Sequence, residues 1–118
     1  MAKVLLVDDA AFMRMRCAKL LREEGHEVIE ASNGREAVEM YQAARPDAVL
    51  MDITMPEMDG LEALRAIKAV DPNAQVAMLT AMGQQAIVIE AIKSGARDFV
   101  VKPFERERVL AAVAKLVK

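Results

Sequence analysis

Four polar stops carry the chemistry of this chain: Asp8 and Asp9 after KVLLV, Asp52 after AVLM, Thr80 after VAML and Lys102 after FVV. If those apolar runs are parallel strands of one sheet, all these groups project from one edge into one crevice, where open α/β sheets bind ligands. Three carboxylates in one crevice repel; like charges about 4 Å apart cost about 1 kcal/mol in water and about 4 at an effective dielectric near 20. A divalent cation offsets that repulsion. All-oxygen ligation by few carboxylates, with places left for water and phosphate, suits magnesium better than zinc. Such a cation would neutralise a phosphoryl group while a carboxylate oxygen attacks it. A lysine adds fixed positive charge, and a threonine hydroxyl can donate to a phosphoryl oxygen.

Each residue alone has an ordinary explanation. Adjacent aspartates after a strand make turns or cap helices. Asp52 could be a polar strand end, Thr80 could bond its own loop backbone, and Lys102 could extend into water. The joint pattern at four strand ends is what points to a site.

The elements that would position these groups follow from the hydrophobic pattern. Short apolar runs alternate five times with amphipathic stretches, which predicts an α/β fold with a parallel sheet. Strands are expected at 4–7, 27–30, 48–51, 75–79 and 99–101, and helices near 12–24, 34–43, 60–69, 84–94 and 106–117. The first, third and fourth strands are almost wholly apolar, as when helices cover both faces. The second, with Glu27 and Glu30, suits a less enclosed edge. Gly25 and Gly95 stand where a left-handed residue ends a helix. Asn33 with Glu36, and Asp59 with Glu62, have the spacing of a cap and its reciprocal carboxylate. Asp71 before Pro72 stops the third helix. In the fourth helix, Ile89, Ile92 and Ala96 form the expected core stripe. Ile87, Val88 and Ala91 would then fall beside it as surplus apolar surface for a partner.

Composition narrows the classes. The 118 residues are 54% hydrophobic and 29% charged, within reach of one folded domain with a good core. Sixteen basic against eighteen acidic residues give a net charge of −2, with no basic stripe for nucleic acid. Three Phe and one Tyr are too few for base-stacking platforms. Cys17 is the only cysteine, which rules out an internal disulfide and makes it a small packing residue. No run approaches the roughly 18 to 20 apolar residues of a membrane span, and no signal-peptide pattern precedes the first strand. The expectation is one cytoplasmic domain over 1–118, without linker, repeat or output module.

The segments LLVDDAAFMR, VLMDITMPEMDG, MLTAMG and GARDFVVKPF, in that order and spacing, resemble the receiver domain of two-component response regulators, most closely its chemotaxis branch. The resemblance covers essentially the whole chain. It implies a doubly wound, flavodoxin-like five-stranded sheet in the order 2-1-3-4-5. By this likeness Asp52 is the phosphoacceptor. Asp9 and Asp52 bind Mg2+ directly, Asp8 acts mainly through a coordinated water, and the Thr54 backbone carbonyl is a further ligand. Lys102 pairs with phosphoryl oxygens, and Thr80 moves toward them after phosphorylation. Phe99 then turns inward, in a position where many relatives carry Tyr. A cis bond is implied between Lys102 and Pro103, and Pro56 and Gly60 shape the loop after the acceptor strand. Met82 departs from the acidic or polar residue common at its position, near which the hydrolytic water sits. The partners implied are a sensor histidine kinase, a flagellar motor switch protein bound through helix 4, strand 5 and helix 5, and a phosphatase. The implied protein is a monomeric switch that phosphorylates and dephosphorylates itself without being a conventional enzyme.

Competing readings are a receiver excised from a DNA-binding regulator and a haloacid-dehalogenase-type phosphatase. The phosphatase wants a second Asp two residues after its nucleophile, where Thr54 stands. Dinucleotide binding fails for want of glycines in VDDAAF. His26 opens a strand, so it is a poor phosphohistidine.

Overall fold

The structure is a computed structural model that describes residues 1–55 and 58–118. Five strands alternate with five helices: β1 (Lys3–Val7), α1 (Ala11–Glu23), β2 (Glu27–Ala31), α2 (Gly34–Ala44), β3 (Ala48–Asp52), α3 (Gly60–Val70), β4 (Val76–Ala81), α4 (Gln85–Lys93), β5 (Asp98–Lys102) and α5 (Arg106–Val117). All strand pairs are parallel, in the order β2-β1-β3-β4-β5, the flavodoxin-like arrangement expected.

The two-residue side-chain period of a strand sorts the core into two layers. Leu5, Val7, Val49, Met51, Val76 and Met78 point to the layer covered by α2, α3 and α4. Val4, Leu6, Leu50, Ala77, Leu79 and Val100 point to the layer covered by α1 and α5. The apolar strands β1, β3 and β4 are therefore enclosed on both faces, whereas β2 and β5 are the edges and show mixed burial. Cys17 is buried on the inner face of α1, and burial pushes its thiol up to about 12.

Strand ends run further than the apolar runs suggest. Asp52 pairs with Leu79, Thr80 with Val101, and Ala81 with Lys102, so these three polar stops belong to the strands themselves, whereas Asp8 and Asp9 follow β1. The helix boundaries follow the expected signals. Asp59 and Glu62 form a complete capping box at α3. At α2, the Asn33 side chain accepts from Glu36 N, while the Glu36 carboxylate turns to Ser32 instead of Asn33. Gly25 and Gly95 adopt φ of 89° and 109° beyond α1 and α4.

The orientation of α4 differs from the expected one. Ala91 is its one fully buried residue, and Val88 packs half-buried beside it. Ile89 and Ile92, expected in the core, are 54% and 44% exposed, and Ile87 is also exposed. Ala96, beyond the helix, is buried as expected. The helix is apolar almost all round, so periodicity does not fix its rotation; the small Ala91 turns inward and the bulkier isoleucines turn out. Pro56 lies outside the described residues.

Candidate functional site

The chain reverses its direction of sheet building between β1 and β3, and the crevice beyond their carboxyl ends receives Asp8, Asp9 and Asp52. Asp8 is buried by the turn it makes: its Oδ1 accepts from Ala10 N at 2.9 Å, and its backbone carbonyl accepts from Arg14 Nη1 at 2.6 Å. The expected turn and a place in the acidic cluster thus coincide in one side chain. Asp9 next to it is exposed. Asp52 ends β3, with its loop held down where Gly60 N donates to Ile53 O at 2.7 Å. Glycine is required at position 60, because a Cβ there would run into the Asp52 carbonyl oxygen.

Lys102 arrives from the end of β5, followed by a cis bond to Pro103. Its Nζ donates to Asp8 Oδ2 at 2.8 Å and to Asp52 Oδ2 at 3.1 Å. The ammonium is therefore not extended into water. One carboxylate oxygen from each of Asp8, Asp9 and Asp52 lies within 4.8 Å of the others, among the described residues the one such acidic or thiol–imidazole group. Hard oxygen donors at that spacing, one of them open to solvent, fit a magnesium-sized cation with places to spare.

Charge and burial pull against each other here. Burial raises Asp52 above the usual carboxylate range, Lys102 pulls it back, and the neighbouring Asp8 raises it again. Burial alone would lower Lys102, yet the Asp8 and Asp52 carboxylates outweigh it and raise the ammonium's pKa. The partners are thus compensated unequally: for Lys102 the carboxylates outweigh burial, whereas for Asp52 burial outweighs the ammonium.

Thr80 does not join this cluster. It is buried, and its hydroxyl donates to Gln84 Oε1 at 2.7 Å and lies 3.1 Å from Ala81 O, so it bonds its own loop. Gln84 Oε1 also accepts from Ala81 N at 2.8 Å, while Gln84 Nε2 donates to Thr54 Oγ1 at 3.0 Å. Thr54 in turn sits against Asp52, its backbone N lying 3.4 Å from Asp52 Oδ1. Sequence reasoning passed over Gln84 and Arg14; a Gln at a helix start and an Arg in a first turn are too common to signal anything. Phe99 is 38% exposed and so stands at the surface. It lines a cavity of about 650 Å³ with Thr80, Gln84, Val88, Ile92 and Val101. Met82, 79% exposed, stands at the rim of the same cavity.

The sequence matches the response regulator receiver domain over residues 4–114, and the chain belongs to that family. It is 57% identical to the chemotaxis protein CheY of Thermotoga maritima across 98% of both chains. It is 56% identical to the chemotaxis protein CheY of Listeria monocytogenes across the whole of both. The solved CheX-CheY-BeF3-Mg+2 complex from Borrelia burgdorferi matches with a TM-score of 0.92 and 38% identity, covering 98% of this chain and 89% of that one. The chain is thus a CheY-like receiver of the two-component, chemotaxis type, with an acidic cluster able to hold a metal ion. Among the described residues, no helix is long and apolar enough to cross a membrane.

Proposed function

We propose that this domain is a phosphorylation-driven signalling switch whose acceptor is Asp52. The observation that carries the reading is the Lys102 ammonium shared between Asp8 and Asp52, with Asp9 alongside. An Asp52 carboxylate oxygen attacks the phosphorus of a phosphohistidine on a sensor histidine kinase, or of acetyl phosphate. The new bond is an acyl phosphate; the bond to the donor breaks, and its electron pair leaves with the donor. Asp8 through water, Asp9, Asp52 and the Thr54 carbonyl would hold Mg2+, which supplies charge neutralisation for the phosphoryl oxygens. Lys102 transfers its bonds from the carboxylates to a phosphoryl oxygen. Hydrolysis of the acyl phosphate resets the switch, so the domain has catalytic activity without a separate substrate.

Phosphorylation adds about −1.5 to −2 charges and three strong acceptors beside Thr80. Thr80 turns toward them, and Phe99 follows into the space vacated. The output is a change in the α4–β5–α5 face, where Ile87, Ile89, Ile92 and Val101 already stand exposed. Exposed apolar surface of this kind suits a partner such as a flagellar motor switch protein. The Borrelia complex supports the phosphorylation half of the reading, since there a CheY is held with CheX, magnesium and BeF3, a phosphoryl mimic. A dehalogenase-type phosphatase is disfavoured further, because the Thr54 hydroxyl oxygen accepts from Gln84 Nε2 and no acid stands in its place.

Incubation with magnesium and acetyl phosphate should give one phosphate adduct by intact mass. The adduct should vanish in Asp52→Asn and on chelation of the metal. An adduct that persists unchanged in Asp52→Asn would remove the assignment.

A further inference from the structure

We infer that the Gln84 side-chain amide is the restraint that holds Thr80 in its resting position, so that Gln84 sets the balance of the switch. The inference rests on the switching role proposed for Thr80. Its basis is a count of protons. A threonine hydroxyl has one hydrogen to donate. Here that hydrogen is directed at Gln84 Oε1, 2.7 Å away, with Ala81 O at 3.1 Å the only other acceptor among the described residues. None is left for a phosphoryl oxygen. Thr80 must therefore release Gln84 before it can serve a phosphoryl group.

The orientation of the amide is fixed by its neighbours. Gln84 Oε1 faces the Ala81 backbone N–H at 2.8 Å, and a backbone N–H can only donate, so the atom facing it is the oxygen. The amide nitrogen is thereby turned to Thr54 Oγ1 at 3.0 Å. Gln84 thus joins two loops thirty residues apart, one following the acceptor strand and one following the Thr80 strand. It leads directly into α4, whose attachment to the sheet is otherwise slight. A shift of Thr80 toward Asp52 breaks the Gln84 bond at one end and frees the start of α4 at the other. Thr80, Gln84 and Phe99 line the same cavity, so the space Phe99 would enter is bounded by the group that lets go.

Gln84 is a positioning residue in this account, acting through Thr80. Two substitutions separate that role from mere helix support. Gln84→Met keeps length and removes every polar bond. Gln84→Glu keeps an acceptor for Thr80 and Ala81 N but cannot donate to Thr54. The readout is the Phe99 ring resonance by NMR, in the unphosphorylated protein and with saturating BeF3− and Mg2+ as the switched reference. In untreated Gln84→Met the resonance should lie displaced from wild type along the line toward the BeF3− reference. The switched fraction should rise roughly fivefold, the equivalent of one typical net hydrogen bond. Gln84→Glu should return the resonance to the wild-type position. Coincidence of untreated Gln84→Met with untreated wild type, when wild type responds to BeF3−, would overturn the restraint alone. Equal displacement in the Met and Glu variants would do the same, by assigning the effect to loss of the Thr54 bond. A wild type unmoved by BeF3− would sink the switching reading together with the restraint.

Discussion

Helices α3 and α4 lie on the same face of the sheet but are attached to it by different means. α3 starts from a complete capping box, Asp59 with Glu62, and buries Ala63, Leu64 and Ile67 without residual exposure. α4 has nine residues, no side-chain cap on its own first turn, and only Ala91 fully buried. Its larger apolar residues face outward. On the α3 side, α2 adds Tyr41, whose hydroxyl donates to Asp71 at 2.7 Å and so ties the ends of two helices together. The difference assigns separate duties. The α2–α3 side is built to stay in place beside the strand that carries Asp52. The α4 side holds few contacts to lose, which suits the response proposed for a bond exchanged at Thr80.

The largest effect that tests this contrast is on the core. Ile67→Ala should cost about 2–5 kcal/mol of unfolding free energy, because a fully buried side chain leaves a cavity under α3. Ile89→Ala, on the exposed side of α4, should stay within about 0.5 kcal/mol of wild type in the same urea titration. Comparable losses at the two positions would erase the distinction between the helices.

A smaller effect probes the caps. Asp59→Ala removes the side-chain acceptor at Glu62 N while leaving the backbone N–H that donates to the Glu62 carboxylate, and should cost about 0.5–2 kcal/mol. The sharper form of the test is amide exchange. Protection of α3 should fall in Asp59→Ala while α4, exchanging faster from the outset, stays as it was. If α4 is as well protected as α3 in wild type, its looser attachment is wrong.

The contrast also marks how far the sequence could be read. The α/β alternation, the enclosed β1, β3 and β4, and the more polar edge β2 were all legible, because burial on two faces demands near-continuous apolar runs. The convergence of Asp8, Asp9, Asp52 and Lys102 was legible because strand ends in a parallel sheet share one edge. The rotation of α4 was not. With Ile87, Val88, Ile89, Ala91 and Ile92 spread around it, the choice of inward face is made by fit against the sheet, and size rather than hydrophobicity decides. Nor was Gln84, whose bonds to Thr54 and Thr80 exist only once two loops have met. Thr80 was singled out by type and position, but its bond to Gln84 was hidden for the same reason.

The smallest expected effect concerns the Tyr41–Asp71 tie, read as a pH dependence. Burial, together with the hydrogen bond to Asp71 and its charge, pushes the Tyr41 phenol from its ordinary 10.0 up to about 12. A folded-state pKa above the unfolded one means that the contribution is whole below pH 10.0 and is lost as pH rises toward about 12. Cys17, raised from 9.0 to about 12, weakens the fold over an overlapping window that opens one step lower. On the acid side the sign reverses. The bond from Tyr41 comes first among the causes that lower Asp71, so that contribution stands above the ordinary aspartate value and fades as pH falls below it. Tyr41→Phe should therefore be less stable than wild type at neutral pH, with the gap narrowing toward both extremes. Subtracting the two stability profiles cancels the Cys17 slope, which both proteins share. A difference that stays flat from neutral pH to 12 would mean that the phenol keeps no proton through this bond, and that α2 and α3 are joined by packing alone.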